Sequence, residues 1–119
     1  MRFKPEQHFR MADRLSEVAL NQTDLKRIAE LEALARVFRR LAVRAYMSTD
    51  PSMKRRDWSE FTDETTLVGL IDPPSPWGPL EEWESFLRDL ESMPPSKQLR
   101  LLIEQAEEAI VRRKLGLVL

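Results

Sequence analysis

Between Leu25 and Ala45 apolar residues recur at every third or fourth position: Leu25, Ile28, Leu31, Leu34, Ala35, Phe38, Leu41, Ala42 and Ala45. That spacing is the period of an α-helix and lines one continuous face. The other faces carry Lys26, Arg27, Glu30, Glu32, Arg36, Arg39, Arg40 and Arg44, and no Gly or Pro interrupts the run. The pattern predicts a helix from Asp24 to Met47, roughly 36 Å long at the usual rise per residue. A helix of that length cannot hide its stripe alone, so other segments must pack on it.

Before it, His8, Met11, Ala12, Leu15, Val18 and Ala19 form a second helical stripe. Pro5 suits a first helical position, where its missing N–H would be unpaired anyway, and Glu6 suits the positive first turn. These signals predict a helix from Pro5 to Leu20. Asn21-Gln22-Thr23 breaks the pattern, and Thr23 or Asn21 can cap the next helix. So short a connection folds the two helices into an antiparallel hairpin.

Past Met47 the pattern weakens. Ser48-Thr49-Asp50-Pro51 ends the long helix, and Asp50-Pro51 resembles an N-cap followed by a short helical turn. Met53 to Phe61 is irregular. Thr65 to Ile71 carries conflicting signals, since its β-branched residues suit a strand. A lone strand would have no partner, and the acidic Asp63-Glu64 start favours a short helix. The stretch DPPSPWGP from Asp72 to Pro79 is a boundary, its prolines favouring extended backbone.

Pro79 then opens a helix with Glu81, Glu82 and Glu84 near its positive end and Leu80, Trp83, Phe86, Leu87 and Leu90 facing inward. Met93-Pro94-Pro95 stops it. Ser96 is placed to cap a last helix with Leu99, Leu102, Ile103, Ala106, Ala109 and Ile110 inward. Arg112, Arg113 and Lys114 suit its negative end, and Gly116 suits the left-handed residue beyond it. The expected fold class is therefore all-α, with two antiparallel helical hairpins packed as a four-helix bundle or an irregular helical array. The expected organisation is one domain over residues 1–119: a hairpin over 1–47, a Pro- and Trp-containing connector over 48–78, and a hairpin with an apolar tail over 79–119.

Composition narrows the classes. The chain has 119 residues, an apolar fraction of 42% and only three Gly, which suits one helical core rather than disorder or many short strands. It has no Cys, so disulfides, thiolate zinc sites and a thiol nucleophile are excluded. MRFKPEQHFR shows no apolar signal region, and no apolar run approaches the ~20 residues of a membrane span. A cytoplasmic location is expected. Charge is segregated: residues 1–56 hold 13 Lys/Arg against 7 Asp/Glu, and residues 57–119 hold 6 against 13. Such asymmetry steers a partner to one side, or lets the halves attract each other.

Candidate chemistry is sparse. Arg36, Arg40 and Arg44 share one helical face with Arg39 beside them, a row able to meet phosphates without reading sequence. The ordinary reading of that row is a solvated helix face, and the chain carries no helix-turn-helix, zinc-finger or RNA-binding signature. Trp58, Phe61 and Trp77 fall in irregular stretches, where a large ring either plugs the core or anchors an interface. Trp77, among prolines, reads as a plug; Trp58, beside Arg55 and Arg56, reads as an anchor. Glu104, Glu107 and Glu108 fall mainly off the apolar stripe and read as solvated. The Glu-x-x-His pairs of a carboxylate di-metal bundle are missing, so neither a metal nor a cofactor is expected. His8 reads as a half-buried packing residue, and no nucleophile elbow, phosphate loop or dinucleotide fingerprint is present. Leu115 to Leu119 is apolar enough to fold back onto the core or to enter a partner.

The sequence thus points away from an enzyme and toward a non-catalytic protein-interaction module: a small regulator, adaptor or accessory subunit of a larger assembly. Its expected partner is another protein or a second copy of the chain, met through Arg55, Arg56, Trp58, Phe61, Leu117 and Leu119. The alternative is a nucleic-acid-binding regulator using Arg36, Arg39, Arg40 and Arg44.

Overall fold

The computed structural model describes residues 4–53, 56–62 and 71–117. Among these the regular structure is all helical, with no strand: α1 (Pro5–Leu20), α2 (Leu25–Met47), a single 3-10 turn (Trp58–Glu60), α3 (Leu80–Glu91) and α4 (Lys97–Lys114). Helices α1 and α2 pack together, as do α3 and α4, giving the two expected hairpins. The chain divides into two compact units, Met1–Lys54 and Arg55–Leu119. Most of the segment read as a short helix over Thr65 to Ile71 lies outside the described residues.

In the first unit, Pro5 occupies the first helical position of α1, and the Lys4 backbone N–H donates to Gln7 Oε1 at 2.7 Å. The cap of α2 is Asp24, not Thr23 or Asn21: its Oδ1 accepts from the Lys26 N–H at 3.0 Å. A carboxylate is the stronger choice at a helix start, because it pairs a free N–H and also meets the positive end of the helix dipole. Asn21 instead closes α1, its N–H donating to the Val18 carbonyl at 3.1 Å. Beyond α2, Asp50 makes a turn rather than a helix start, its Oδ1 accepting from the Ser52 N–H at 3.0 Å and hydroxyl at 2.6 Å.

The buried set of this unit is Phe9, Ala12, Ala19, Leu31, Ala35, Ala42 and Val43. Four of the seven are alanines, which let two helix backbones approach closely but bury little area each. His8 is half-buried with its ring 6.1 Å from that of Phe38, the packing role its position suggested.

In the second unit, α3 buries Trp83, Phe86 and Leu90, and α4 buries Leu99, Ile103, Ala106, Ala109, Ile110 and Val111. Pro79 sits just outside α3 as its cap residue rather than inside it. Ser96 caps α4 as expected: its Oγ accepts from the Leu99 N–H at 3.1 Å, and the Lys97 N–H finds the Thr62 carbonyl at 3.1 Å. At the other end the Leu117 N–H donates to the Arg112 carbonyl at 2.8 Å and the Gly116 N–H to the Arg113 carbonyl at 3.1 Å. This paired closure needs a left-handed residue, and Gly116 supplies it with φ of 73°. Because Ser96 is fully buried, Ser96→Ala leaves the Leu99 N–H without a partner away from water. It is expected to cost about 1–2 kcal/mol, read as a lowered urea midpoint with unchanged slope.

Candidate interaction surface

The stripe on α2 is wider than the hairpin can bury. Leu31, Ala35 and Ala42 are buried, but Leu34, Val37 and Leu41 remain 46%, 52% and 39% exposed. These three stand at i, i+3 and i+7, so they form one line along the helix. On α1, Met11 and Val18, at i and i+7, are likewise 45% and 41% exposed. The two helices run antiparallel, and helical geometry turns both lines to the same side of the hairpin. The His8–Phe38 contact sets the register, which places Met11 level with Leu34. The result is one apolar face across α1 and α2. Scattered exposed apolar residues are ordinary, whereas a contiguous face of them marks a binding surface.

Positive charge flanks this face. Arg36, Arg40 and Arg44 run at i, i+4 and i+8 beside the Leu34–Val37–Leu41 line, and Lys4 stands at the head of the α1 line. Lys4, Arg36 and Arg44 are exposed, and Arg39 and Arg40 are half-buried. Arg36, Arg39 and Arg40 also engage other groups of the protein. Near the hairpin tip, Arg27 meets Glu30 at 3.8 Å, a weak pair because both side chains are more than half exposed. Residues 1–54 together hold 11 Lys/Arg against 7 Asp/Glu, a net charge of +4.

Of the residues expected to anchor a partner, Arg56, Trp58 and Phe61 make contacts within the second unit. Arg56 donates from Nε to Glu107 Oε2 at 2.9 Å and from a terminal nitrogen to Glu91 Oε2 at 2.8 Å. It thereby ties the segment before the 3-10 turn to both α3 and α4. Burial alone would pull the Arg56 guanidinium down, but its bonds to Glu91 and Glu107 outweigh that and hold it above its ordinary value, so it stays charged. Trp58 is half-buried, its ring edge-on to Phe61 at 5.0 Å and covered by the Arg100 guanidinium at 4.8 Å. Phe61 is half-buried too. The turn carrying Trp58 is capped by Asp57, whose Oδ1 accepts from the Ser59 N–H at 2.9 Å. Hydrogen bonds from the Ser59 side chain and then its backbone hold the Asp57 carboxyl below its usual range. A lowered carboxyl stabilises the fold above its ordinary pKa, and that contribution fades as pH falls through the lowered value. Leu117 is half-buried at the end of α4, while Arg55 and Leu119 lie outside the described residues.

Three residues behave unlike their sequence reading. Trp77 is 80% exposed rather than a plug. Arg113 explains this: it donates from Nε to the Gly78 carbonyl at 2.8 Å and from Nη2 to the Pro76 carbonyl at 2.7 Å. Its guanidinium also lies 5.3 Å from the centre of the Trp83 ring. The loop is therefore pinned to α4 through its backbone, and Trp83, not Trp77, is the buried indole. Gly78 fits that loop closely: a Cβ there would fall 2.8 Å from Glu82 Oε2, the movable end of a side chain, and 3.0 Å from the Ser75 carbonyl, which would have to give by a few tenths of an ångström. Glu104 and Glu107 are buried rather than solvated. They are balanced by Arg100, at 3.1 Å from Glu104, and by Arg56.

Among the described residues no group of three or more His, Asp or Glu side chains is placed to hold a metal ion. No helix among them is long and apolar enough to cross a membrane. The chain matches no protein-family model, no curated protein and no solved structure.

Proposed function

We propose that this chain is a non-catalytic protein-interaction module, a small regulator, adaptor or accessory subunit of a larger assembly. Its docking surface is the apolar face of the first hairpin. One observation carries the proposal: Met11, Leu34, Val37 and Leu41 stay 39–52% exposed on one side of a unit whose buried set is mostly alanine. A helical hairpin with so small an interior gains from covering that face, and a partner that covers it adds its own apolar area.

The arginine row of α2 supports a second reading, a nucleic-acid-binding regulator using Arg36, Arg39, Arg40 and Arg44. Sequence-independent phosphate contacts would then supply the affinity, with a steep loss as salt rises. The apolar line beside the row favours a protein.

Site-specific photo-crosslinking separates a used surface from an unused one. A photoreactive residue at Val37 is expected to yield discrete protein adducts in the native cells. The same residue at Gln105, exposed on α4, is expected to yield few. Equal labelling from both positions would overturn the assignment of the face.

A further inference from the structure

We infer that the hairpin face receives an acidic amphipathic α-helix lying lengthwise between α1 and α2, an inference that rests on the proposed reading of that face as a docking surface. Shape comes first. Two antiparallel helices side by side leave a groove along their length, and a third helix fits it at the usual 8–10 Å interaxial distance. The exposed line of Leu34, Val37 and Leu41 on α2 and that of Met11 and Val18 on α1 follow one another along it, overlapping at Met11 and Leu34. From the level of Leu41 to that of Val18 the groove runs about 20 Å, or nearly four helical turns. A helix of about fourteen residues presenting apolar anchors at i, i+3 or i+4, i+7 and i+11 fills it.

Charge then selects the occupant. The described residues of the unit, 4–53, hold 9 Lys/Arg against 7 Asp/Glu, a net +2 that already includes every carboxylate of the unit. Arg36, Arg40 and Arg44 line one bank, and exposed Lys4 heads the other. A helix with Asp and Glu beside its anchors is attracted to the half of the groove between Leu41 and Met11, whereas a basic helix is repelled there. The same arginine row disfavours a second copy of this face, which would bring like charge against like. A nucleic acid would use the arginine bank but leave the apolar line uncovered.

Selection from a peptide library tests the inference. Randomised eighteen-residue helices are selected on the full chain and screened against a Val37→Glu/Leu41→Glu variant. Both positions are exposed and glutamate is a good helix former, so the variant is expected to fold. The expected result is enrichment of net-negative peptides with apolar residues at helical spacing. Their affinity should fall at least tenfold on the variant, severalfold with Arg44→Glu, and further as salt rises. Enriched peptides that are neutral or basic would overturn the acidic occupant while leaving the docking face intact. Peptides that bind the variant as well as the wild type would overturn the face itself. Failure to enrich any peptide overturns the helix as occupant. In that event, co-sedimentation with phosphatidylserine vesicles, retention of a thirty-base-pair duplex, or a dimer abolished by Val37→Glu would each name a different occupant.

Discussion

Replacing Arg56 by Ala is expected to destabilise the second unit by about 3 kcal/mol, the lower end of what removing one partner from a buried ion pair costs. The reason lies in the partner that stays behind. Glu107 is 1% exposed, so taking away the guanidinium at 2.9 Å removes a charged partner from a carboxylate held away from water. The reverse substitution is milder. After Glu107→Ala, Arg56 keeps Glu91 at 2.8 Å, and its side chain, 18% exposed, retains some access to solvent. The two single variants should therefore differ by a kcal/mol or more, with Arg56→Ala the worse. Replacing both residues by apolar ones of similar volume should recover most of the loss, because well-packed hydrophobic side chains often equal a buried ion pair. Chemical denaturation of the three variants checks the ordering. Equal losses from both single substitutions would show that the network is not anchored at Glu107.

Phe9→Ala is expected to have the largest effect on the first unit, about 3–5 kcal/mol. Phe9 is the largest fully buried side chain there among the described residues, and most of its buried companions are alanines that cannot expand to fill the space it leaves. The unit spans little more than fifty residues, a size at which a domain has few kcal/mol to lose. Amide exchange of α1 and α2 in the full chain should approach that of an unprotected helix, and Phe9→Leu should restore most of the protection. A loss below about 1 kcal/mol would mean that the hairpin is held by something other than its interior.

The helices were legible because each carries its own local signals. Pro5 starts α1, the cap Ser96 sits one residue before α4, and Gly116 closes α4 by the only backbone geometry that ends a helix this way. Periodicity also found most of the buried apolar side chains of α3 and α4, though not Val111. It could not find Glu104 and Glu107, because a carboxylate off the apolar stripe looks solvated until its partner is known. Arg56 lies 51 residues away in sequence from Glu107. Arg100, four residues before Glu104, was the one local hint. The exposure of Trp77 was hidden for the same reason: it depends on Arg113, 35 residues from Gly78, holding the loop by its carbonyls. On α2 the sequence shows the stripe but not how much of it one partner helix can cover. The part left uncovered, Leu34, Val37 and Leu41, became the candidate surface. Trp58 and Phe61, read as anchors because they stand in an irregular stretch, pack ring against ring, and Arg100 covers Trp58.

The most direct measurement is affinity purification of the tagged chain from its native cells, with nuclease present, beside the Val37→Glu/Leu41→Glu variant. Mass spectrometry then compares the two. The expected result is a protein partner in near-stoichiometric amount that survives nuclease with the wild type and is missing from the variant, both chains being equally folded by circular dichroism. Recovery of the same partner by the variant, or of material that vanishes with nuclease, would contradict the hairpin face as the site of function.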